Sequence, residues 1–383
     1  MKLVNRSLAP ASLIAICVIT VTAARGDDGY VVTNLTSDIP GMAPNTDPVL
    51  QNAWGVAFTP GASPFWIADN ATGCSTLYDG QGVPQPQPTP LLVKIPLPGG
   101  KVPASACKHV DPNKPPKETP AAPTGLVWNP STFLVPNTTT PAVFIFDTED
   151  GTISAWAGGL TPPDQAVLAV DNSPGAVYKG LVFGTNVHGV FLFAANFRAG
   201  TVDVFGPATD SSNGMYVPVT TDGDFTDPDI PAGFAPFGIQ NINGDLFVTY
   251  AKQDDKKHDD VAGLGNGFVD IFDTDGHLLR RFASQGLLNS PWGVARASFA
   301  FGRFSGDILI GNFGDGQINA FDSDGNFLGT LKDSKGKPVV IEGLWTLTLG
   351  GGRNSSSDTL YFTAGINGEA DGLFGTITPA VKQ

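Results

Sequence analysis

GFVDIFDTDGHLLRRF (267–282) and GQINAFDSDGNFLGTL (316–331) are two copies of one design. Each has a glycine, a strand with apolar residues at every second position, a D-x-D-G turn and a second alternating strand. Period-two alternation is the mark of a half-buried β-strand, and D-x-D-G between two such runs reads as a hairpin turn. The turns at Asp273–Gly276 and Asp322–Gly325 lack the further ligands of a calcium-binding loop, so they are expected to close hairpins only.

Upstream of both copies lies a shorter phrase that recurs six times: AWGVAF at Gly55, PTGLVW at Gly125, YKGLVF at Gly180, PFGIQN at Gly238, PWGVAR at Gly293 and IEGLWTL at Gly343. A second strand follows each one (FWIADN, VFIFDT, VFLFAANF, LFVTYA, ILIGNF, LYFTAG), and a third begins after a glycine in most units. Six units of four strands, each 50 to 70 residues after the last, specify an all-β fold. The expectation is a six-bladed β-propeller of four-stranded antiparallel blades. The sixth unit stops after its third strand, GLFGTITP, while YVVTNLTS (30–37) stands alone ahead of the first phrase. The N-terminal strand is therefore expected to pair into the last blade and close the ring, which leaves no open edge there.

Composition sets the boundaries. Of 383 residues, 41% are hydrophobic and only 15% charged, with 47 glycines and 32 prolines to supply turns. A net charge of −14 repels phosphate backbones and anionic membrane surfaces, so nucleic acid is excluded as a natural partner. Lys2 and Arg6 precede an apolar run from Leu13 to Val21 and small residues to Ala24. That pattern is a cleaved signal peptide over 1–24, too short for a membrane span. Residues 25–383 then form a single propeller domain, secreted to the periplasm or the medium, expected to be a monomer. Outside the signal, Cys74 and Cys107 remain, and an even count in an oxidising compartment predicts a disulfide bond. The insertion at 81–120 holds eleven prolines and is expected to be an extended loop rather than central strand.

FRAGTVDVF (197–205), FAPFGIQNI (234–242), LNSPWGVA (288–295), GNFGDGQINAFD (311–322) and AGINGEADGLFGTITP (364–379) carry a resemblance to a known family. Together with YAKQDDKKHDDVAGLGNGFVDIFD (250–273), they resemble an uncharacterised exported bacterial family, some members of which bear a C-terminal exosortase sorting signal. The blade phrases are similar to those of NHL-type propellers. The resemblance implies the six-bladed fold and implies no activity. The chain ends at ITPAVKQ without a sorting tail.

Propeller topology converts the phrases into a site. The residue before each phrase glycine is expected to ring the mouth of the central channel: Trp54, Thr124, Lys179, Phe237, Trp292 and Glu342. Sixfold order sets Lys179 opposite Glu342 and Trp54 opposite Phe237. The loops joining second and third strands share that face. They carry Asp69 and Asn70; Glu149 and Asp150; Asn196 and Arg198; Asp254, Asp255, His258, Asp259 and Asp260; Asn312 and Asp315; and Asn367, Glu369 and Asp371. Two readings compete for them. Asn and Asp close turns in any propeller, or they gather into a polar site for a protein, a glycan or a small ligand. Within DDKKHDD (254–260), Asp254, Asp255, His258 and Asp259 are candidate metal ligands against a plain solvated loop. Trp54 and Trp292 either stack on a ligand or pack between blades.

Catalytic signatures are missing. No H-E-x-x-H, G-x-S-x-G or phosphate-binding loop occurs, and the four histidines are scattered. A calcium-dependent lactonase needs several oxygen ligands at the inner positions, where this sequence offers Glu342 alone and sets an ammonium across from it. The leading expectation is a binding or scaffold module with no cofactor. A calcium-assisted hydrolase of lactonase-like type is the alternative.

Overall fold

Alternating sequence becomes antiparallel sheet in all six units of the computed structural model, which describes residues 29–380 apart from 62, 210 and 211. Blade 1 comprises Ala53–Ala57, Phe65–Asp69, Cys74–Tyr78 and Val93–Lys94, and blade 2 Pro123–Trp128, Phe144–Thr148, Thr152–Trp156 and Val167–Asp171. Blade 3 is Tyr178–Asn186, Gly189–Asn196, Thr201–Gly206 and Val217–Pro218, and blade 4 Phe234–Ile242, Asp245–Lys252, Gly267–Phe272 and Leu278–Ser284. Blade 5 follows with Pro291–Arg296, Ile308–Asn312, Ile318–Phe321 and Phe327–Thr330. Blade 6 takes three strands from the C-terminal end, Leu344–Leu349, Leu360–Ile366 and Asp371–Pro379, and its fourth from Tyr30–Ser37. The closing strand runs antiparallel to Asp371–Pro379, from Tyr30 opposite Pro379 to Ser37 opposite Leu373. The Tyr30 hydroxyl also donates to the Phe301 carbonyl at 3.0 Å, tying the start of the ring to blade 5.

The core is divided rather than central. Six apolar clusters fill the six gaps between neighbouring blades, which is where the outward-facing half of each alternating strand must go. Between blades 6 and 1, for instance, Phe65, Ile67 and Tyr78 meet Tyr361 and Phe374. The inner strands meet around the axis, and the phrase glycines permit their approach. A Cβ on Gly55 would lie 2.5 Å from the Thr124 carbonyl oxygen, and one on Gly238 2.4 Å from that of Trp292.

Every inner strand is bulged beside its phrase, as between Ala53 and Val56 or Pro123 and Leu126. A bulge leaves one amide without its ladder partner, and side chains of the second strand take it up. Asp147 Oδ1 accepts from the Gly125 amide, Thr249 Oγ1 from Gly238 at 2.8 Å and Thr363 Oγ1 from Thr346 at 3.2 Å.

The disulfide joins Cys74 to Cys107 and anchors the proline-rich insertion to the third strand of blade 1. The insertion does more than loop, because Val93–Lys94 supplies that blade's outermost strand. Proline is compatible with an edge, where one row of amides needs no partner. Residues 1–24, where a signal peptide is expected, lie outside the described residues. Among those described, no helix is long and apolar enough to cross a membrane. Both D-x-D-G sequences are hairpin turns, with Asp273 Oδ1 and Asp322 Oδ1 accepting the amides that follow them.

Candidate functional site: the mouth of the central channel

Five of the six inner seats are held by the residues expected there, Trp54, Thr124, Lys179, Phe237 and Trp292; the sixth requires a correction. Gly293 packs against the carbonyl of Trp345 and the amide of Leu347, so Trp345-Thr346-Leu347 is the counterpart of Trp292-Gly293-Val294. The bulge between Leu344 and Leu347 matches that between Pro291 and Val294. Trp345 therefore takes the inner seat, and Glu342 lies exposed on the approach loop, accepting the Gly368 amide at 3.1 Å. Gly343 is in the left-handed region at φ +61°, and a Cβ there would fall 2.0 Å from the Gly365 oxygen. It is required by the approach turn, not by the channel. Anchoring the sixth phrase on tryptophan instead of glycine would have found the register, since Trp54, Trp292 and Trp345 align.

The inner ring closes the channel more than it lines it. Trp54 stacks on Trp345 with centroids 3.4 Å apart, Phe313 stacks on the other side at 3.9 Å, and Trp292 and Phe237 meet Trp345 edge-on or tilted at 5.8 and 5.9 Å. Trp54 and Phe237 are 1% and 0% exposed, so neither offers a face to a ligand and both belong to the core. Thr124 is equally buried, donating to Asp147 Oδ1 and the Tyr178 carbonyl. Behind this aromatic plug the axis retains a cavity of about 60 Å³, walled by the phrase glycines and their neighbours. Phe313, from the loop after the second strand of blade 5, was not anticipated; no feature of its sequence distinguishes it from a strand-end aromatic.

Above the plug sits Lys179, 2% exposed. Its ammonium contacts Glu149 and lies 3.4 Å from Asp259, with the Trp54 and Phe197 rings 5.2 and 5.8 Å away. Burial pushes a lysine down, but the two carboxylates outweigh it, and Lys179 stands above its ordinary value. It does not face Glu342 across the channel, because Glu149 from the adjacent blade lies nearer. Next to it, His258 Nδ1 and Asp259 are 2.9 Å apart. That hydrogen bond raises His258 and holds the carboxyl of Asp259 down at about 2. Burial raises the neighbouring Asp260.

From Glu149 the polar chain continues round the mouth. Asn70 Nδ2 donates to Glu149 Oε2 at 3.0 Å, and Asn52 Nδ2 donates to Asn70 Oδ1 at 3.2 Å and to Glu369 Oε2 at 2.7 Å. Trp345 Nε1 donates to Asn52 Oδ1 at 3.0 Å, which ties the polar ring to the aromatic floor beneath. Trp292 Nε1 is likewise spent, on the Lys179 carbonyl at 2.7 Å.

The second-loop residues thus divide. Asn70, His258, Asp259 and Glu369 join the mouth, together with Glu149. Asn196 and Asn312 are buried and accept the Val177 and Asn289 amides of the approach loops to their own blades' inner strands, and Asn196 also accepts the Ala199 amide of its own turn. Asp254 caps its own loop through the amides of His258 and Asp259, and Asp255 is exposed. Asp371 accepts from Asn367. Of the four candidate metal ligands, only His258 and Asp259 converge, and their third companion is Glu149. Sequence reasoning missed Glu149 as a ligand because it comes from blade 2, over a hundred residues from His258.

No protein-family model matches the chain. Uncharacterized protein R648 of Acanthamoeba polyphaga mimivirus is 32% identical over 355 residues, which cover 91% of this chain and 79% of that protein. Uncharacterized protein L690 of the same virus is 29% identical over 354 residues, 91% and 85% of the two chains. Among solved structures, a streptogramin B lyase overlaps 92% of this chain and 98% of its own at a TM-score of 0.48 and 11% identity. A gluconolactonase of Xanthomonas campestris overlaps 86% and 87% at 0.46 and 13%. Overlap at that level says nothing of a shared reaction.

Proposed function

The chain belongs to the family of uncharacterized protein R648, and from the site it carries we propose that it is a binding module that captures its ligand at the loop-bearing mouth of the channel without a metal. One observation carries this reading: the cation at the Glu149 and Asp259 carboxylates is the chain's own Lys179. A divalent ion would have to displace a buried ammonium already held by both acids, or sit against it. Glu149, Asp259 and Glu369 leave acceptors in excess around the mouth, which suits a ligand rich in hydroxyl or ammonium donors, such as a glycan or a basic peptide. Export belongs to the same proposal, and the Cys74–Cys107 bond supports it.

The alternative, a metal-assisted hydrolase of lactonase-like type, has the Glu149–His258–Asp259 trio in its favour. Metal analysis of the purified protein, with melting followed under chelator and under added Ca²⁺ or Zn²⁺, separates the two. The binding reading expects no stoichiometric metal and no shift in the wild type, and a cation-dependent rise in Lys179→Met, where the acids are freed. It expects Glu369→Gln to lose capture on a glycan and peptide array at unchanged melting temperature. Stoichiometric metal in the wild type, lost to chelator with a drop in melting, would overturn the metal-free reading and leave the metal-assisted alternative to be tested by lactone hydrolysis.

A further inference from the structure

Five blades carry an outer lane filled along the third strand, by Val167–Asp171, Leu278–Ser284, Phe327–Thr330 and Tyr30–Ser37 in blades 2, 4, 5 and 6. Blade 1 fills its lane from two pieces, with Lys94 and Val93 opposite Cys74 and Ser75, and the Gln85 amide donating to the Leu77 carbonyl. Blade 3 does not. Its fourth strand is Val217–Pro218, paired only with Phe205 and Gly206, and the Val219 amide adds one bond to the Val204 carbonyl at 2.8 Å. The chain then leaves the lane. Gly223 and Phe225 donate their amides to Asp275 and Gly276 of blade 4, and the Phe225 ring inserts between Phe193 and Phe272. Arg281 clamps Asp227 a little further on.

The upper half of the lane, beside Thr201–Asp203, is consequently unpaired among the described residues. Strand alternation fixes which groups it presents. Val204 turns its carbonyl outward to Val219, so Val202, two residues earlier, turns both its N–H and its C=O to the same outer side. A cleft of about 640 Å³ lies over this edge, walled by the third strand and by Pro218–Phe225. Its charged residues are Asp203, Asp222 and Asp224, with no lysine or arginine among the lining.

We propose that the outer edge of blade 3 receives an extended, basic segment of a partner polypeptide, which adds as the missing part of the fourth strand. Main-chain pairing at Val202 supplies the affinity common to strand addition, and the three aspartates select for lysine or arginine on the incoming strand. The edge lies at the rim of the ring and uses no residue of the channel mouth, so the two proposals stand or fall separately.

The probe is a capped octapeptide of four Lys-Val repeats, with a Glu-Val octapeptide as its control, titrated by calorimetry. Hydrogen exchange at the Val202 amide is followed in parallel. The Lys-Val peptide is expected to bind and the Glu-Val peptide not to, with Val202 exchange fast in the free protein and slowed in the complex. Val202→Pro removes the outward donor while sparing the inner ladder and should weaken binding about tenfold, the worth of one main-chain hydrogen bond. If that variant does not fold, Asp222→Lys, at an exposed position, carries the test and should weaken binding at least threefold. Equal binding of the two peptides, no binding of either, or a Val202 amide already protected in the free protein would overturn the proposal. So would a concentration-dependent dimer that buries this edge, since a second copy would then be its occupant.

Discussion

Removing the Lys179 ammonium should destabilise the protein by about 3–5 kcal/mol, the usual cost of stripping one partner from a buried ion pair. In Lys179→Met the stem is replaced at similar volume, but Glu149, only 13% exposed at its side chain, is left with Asp259 and Glu369 as neighbours and only the His258 imidazole to offset them. Glu149→Gln should cost less, about 2–3 kcal/mol, because Lys179 keeps Asp259 and two aromatic faces, the latter worth about 0.5–2 kcal/mol. The double variant should fall well short of the sum, with a coupling of about 2–3 kcal/mol, because neither group is then buried unpaired. Asp259→Asn, whose side chain is 66% exposed, should cost less than about 1 kcal/mol. Urea unfolding at neutral pH, extrapolated linearly with a common m-value, measures all four. Additive losses, or a Lys179→Met variant within about 1 kcal/mol of the wild type, would mean that the ammonium is solvated and does not neutralise the mouth, and the metal-free reading would lose its basis.

Burial raises Asp147 to about 7, and it keeps its proton in the folded protein while the unfolded chain has released it. Its contribution to stability is therefore full below about pH 4 and is lost as pH rises from there through about 7; Asp147→Asn keeps the acceptor for Gly125 and Thr124 and should flatten that decline in melting temperature, and an unchanged profile would place the titration elsewhere. Reducing the disulfide, or replacing Cys74 and Cys107 by serine, releases a loop with a sequence separation of 33 and should cost about 3–4 kcal/mol in denaturant. A loss below about 1 kcal/mol would show that the insertion holds its place through its hydrogen bonds to the blades, the Gln51–Val110 pairing and the Cys107 amide on the Thr72 carbonyl among them.

Repetition made the architecture legible. Each blade repeats the same strand, glycine and turn signals because each occupies an equivalent place in the ring, one face against the preceding blade and the other against the next. The third strands Gly267–Phe272 and Ile318–Phe321 are accordingly buried at every position, and not half-buried as the alternation suggested. The orphan strand YVVTNLTS declared the closure for the same reason, since a blade with three strands leaves an edge that something must cover. The sixth phrase was misplaced by three residues because glycine marks two different needs there. At Gly343 it supplies a positive φ, and at the other five positions it gives room for the next backbone.

The channel mouth was only partly legible. Alternation and turn spacing say which residues share a face, so Asn70, His258, Asp259 and Glu369 were in view. They do not say which neighbour a long side chain will reach. Lys179 could span towards blade 6 or bend to blade 2, and the choice fell to Glu149 because an ammonium leaving water needs the nearest carboxylate. The division between turn-closing and mouth-lining residues had the same origin: Asn196 and Asn312 accept the amides of Val177 and Asn289, 19 and 23 residues away on the approach loops, and only the folded blade brings those loops to them. Local pattern governs strands, turns and the order of blades, since those depend on neighbours in the chain. Partners drawn from different blades, such as Glu149 with His258 or Trp345 with Asn52, depend on distances that exist only after the ring has closed.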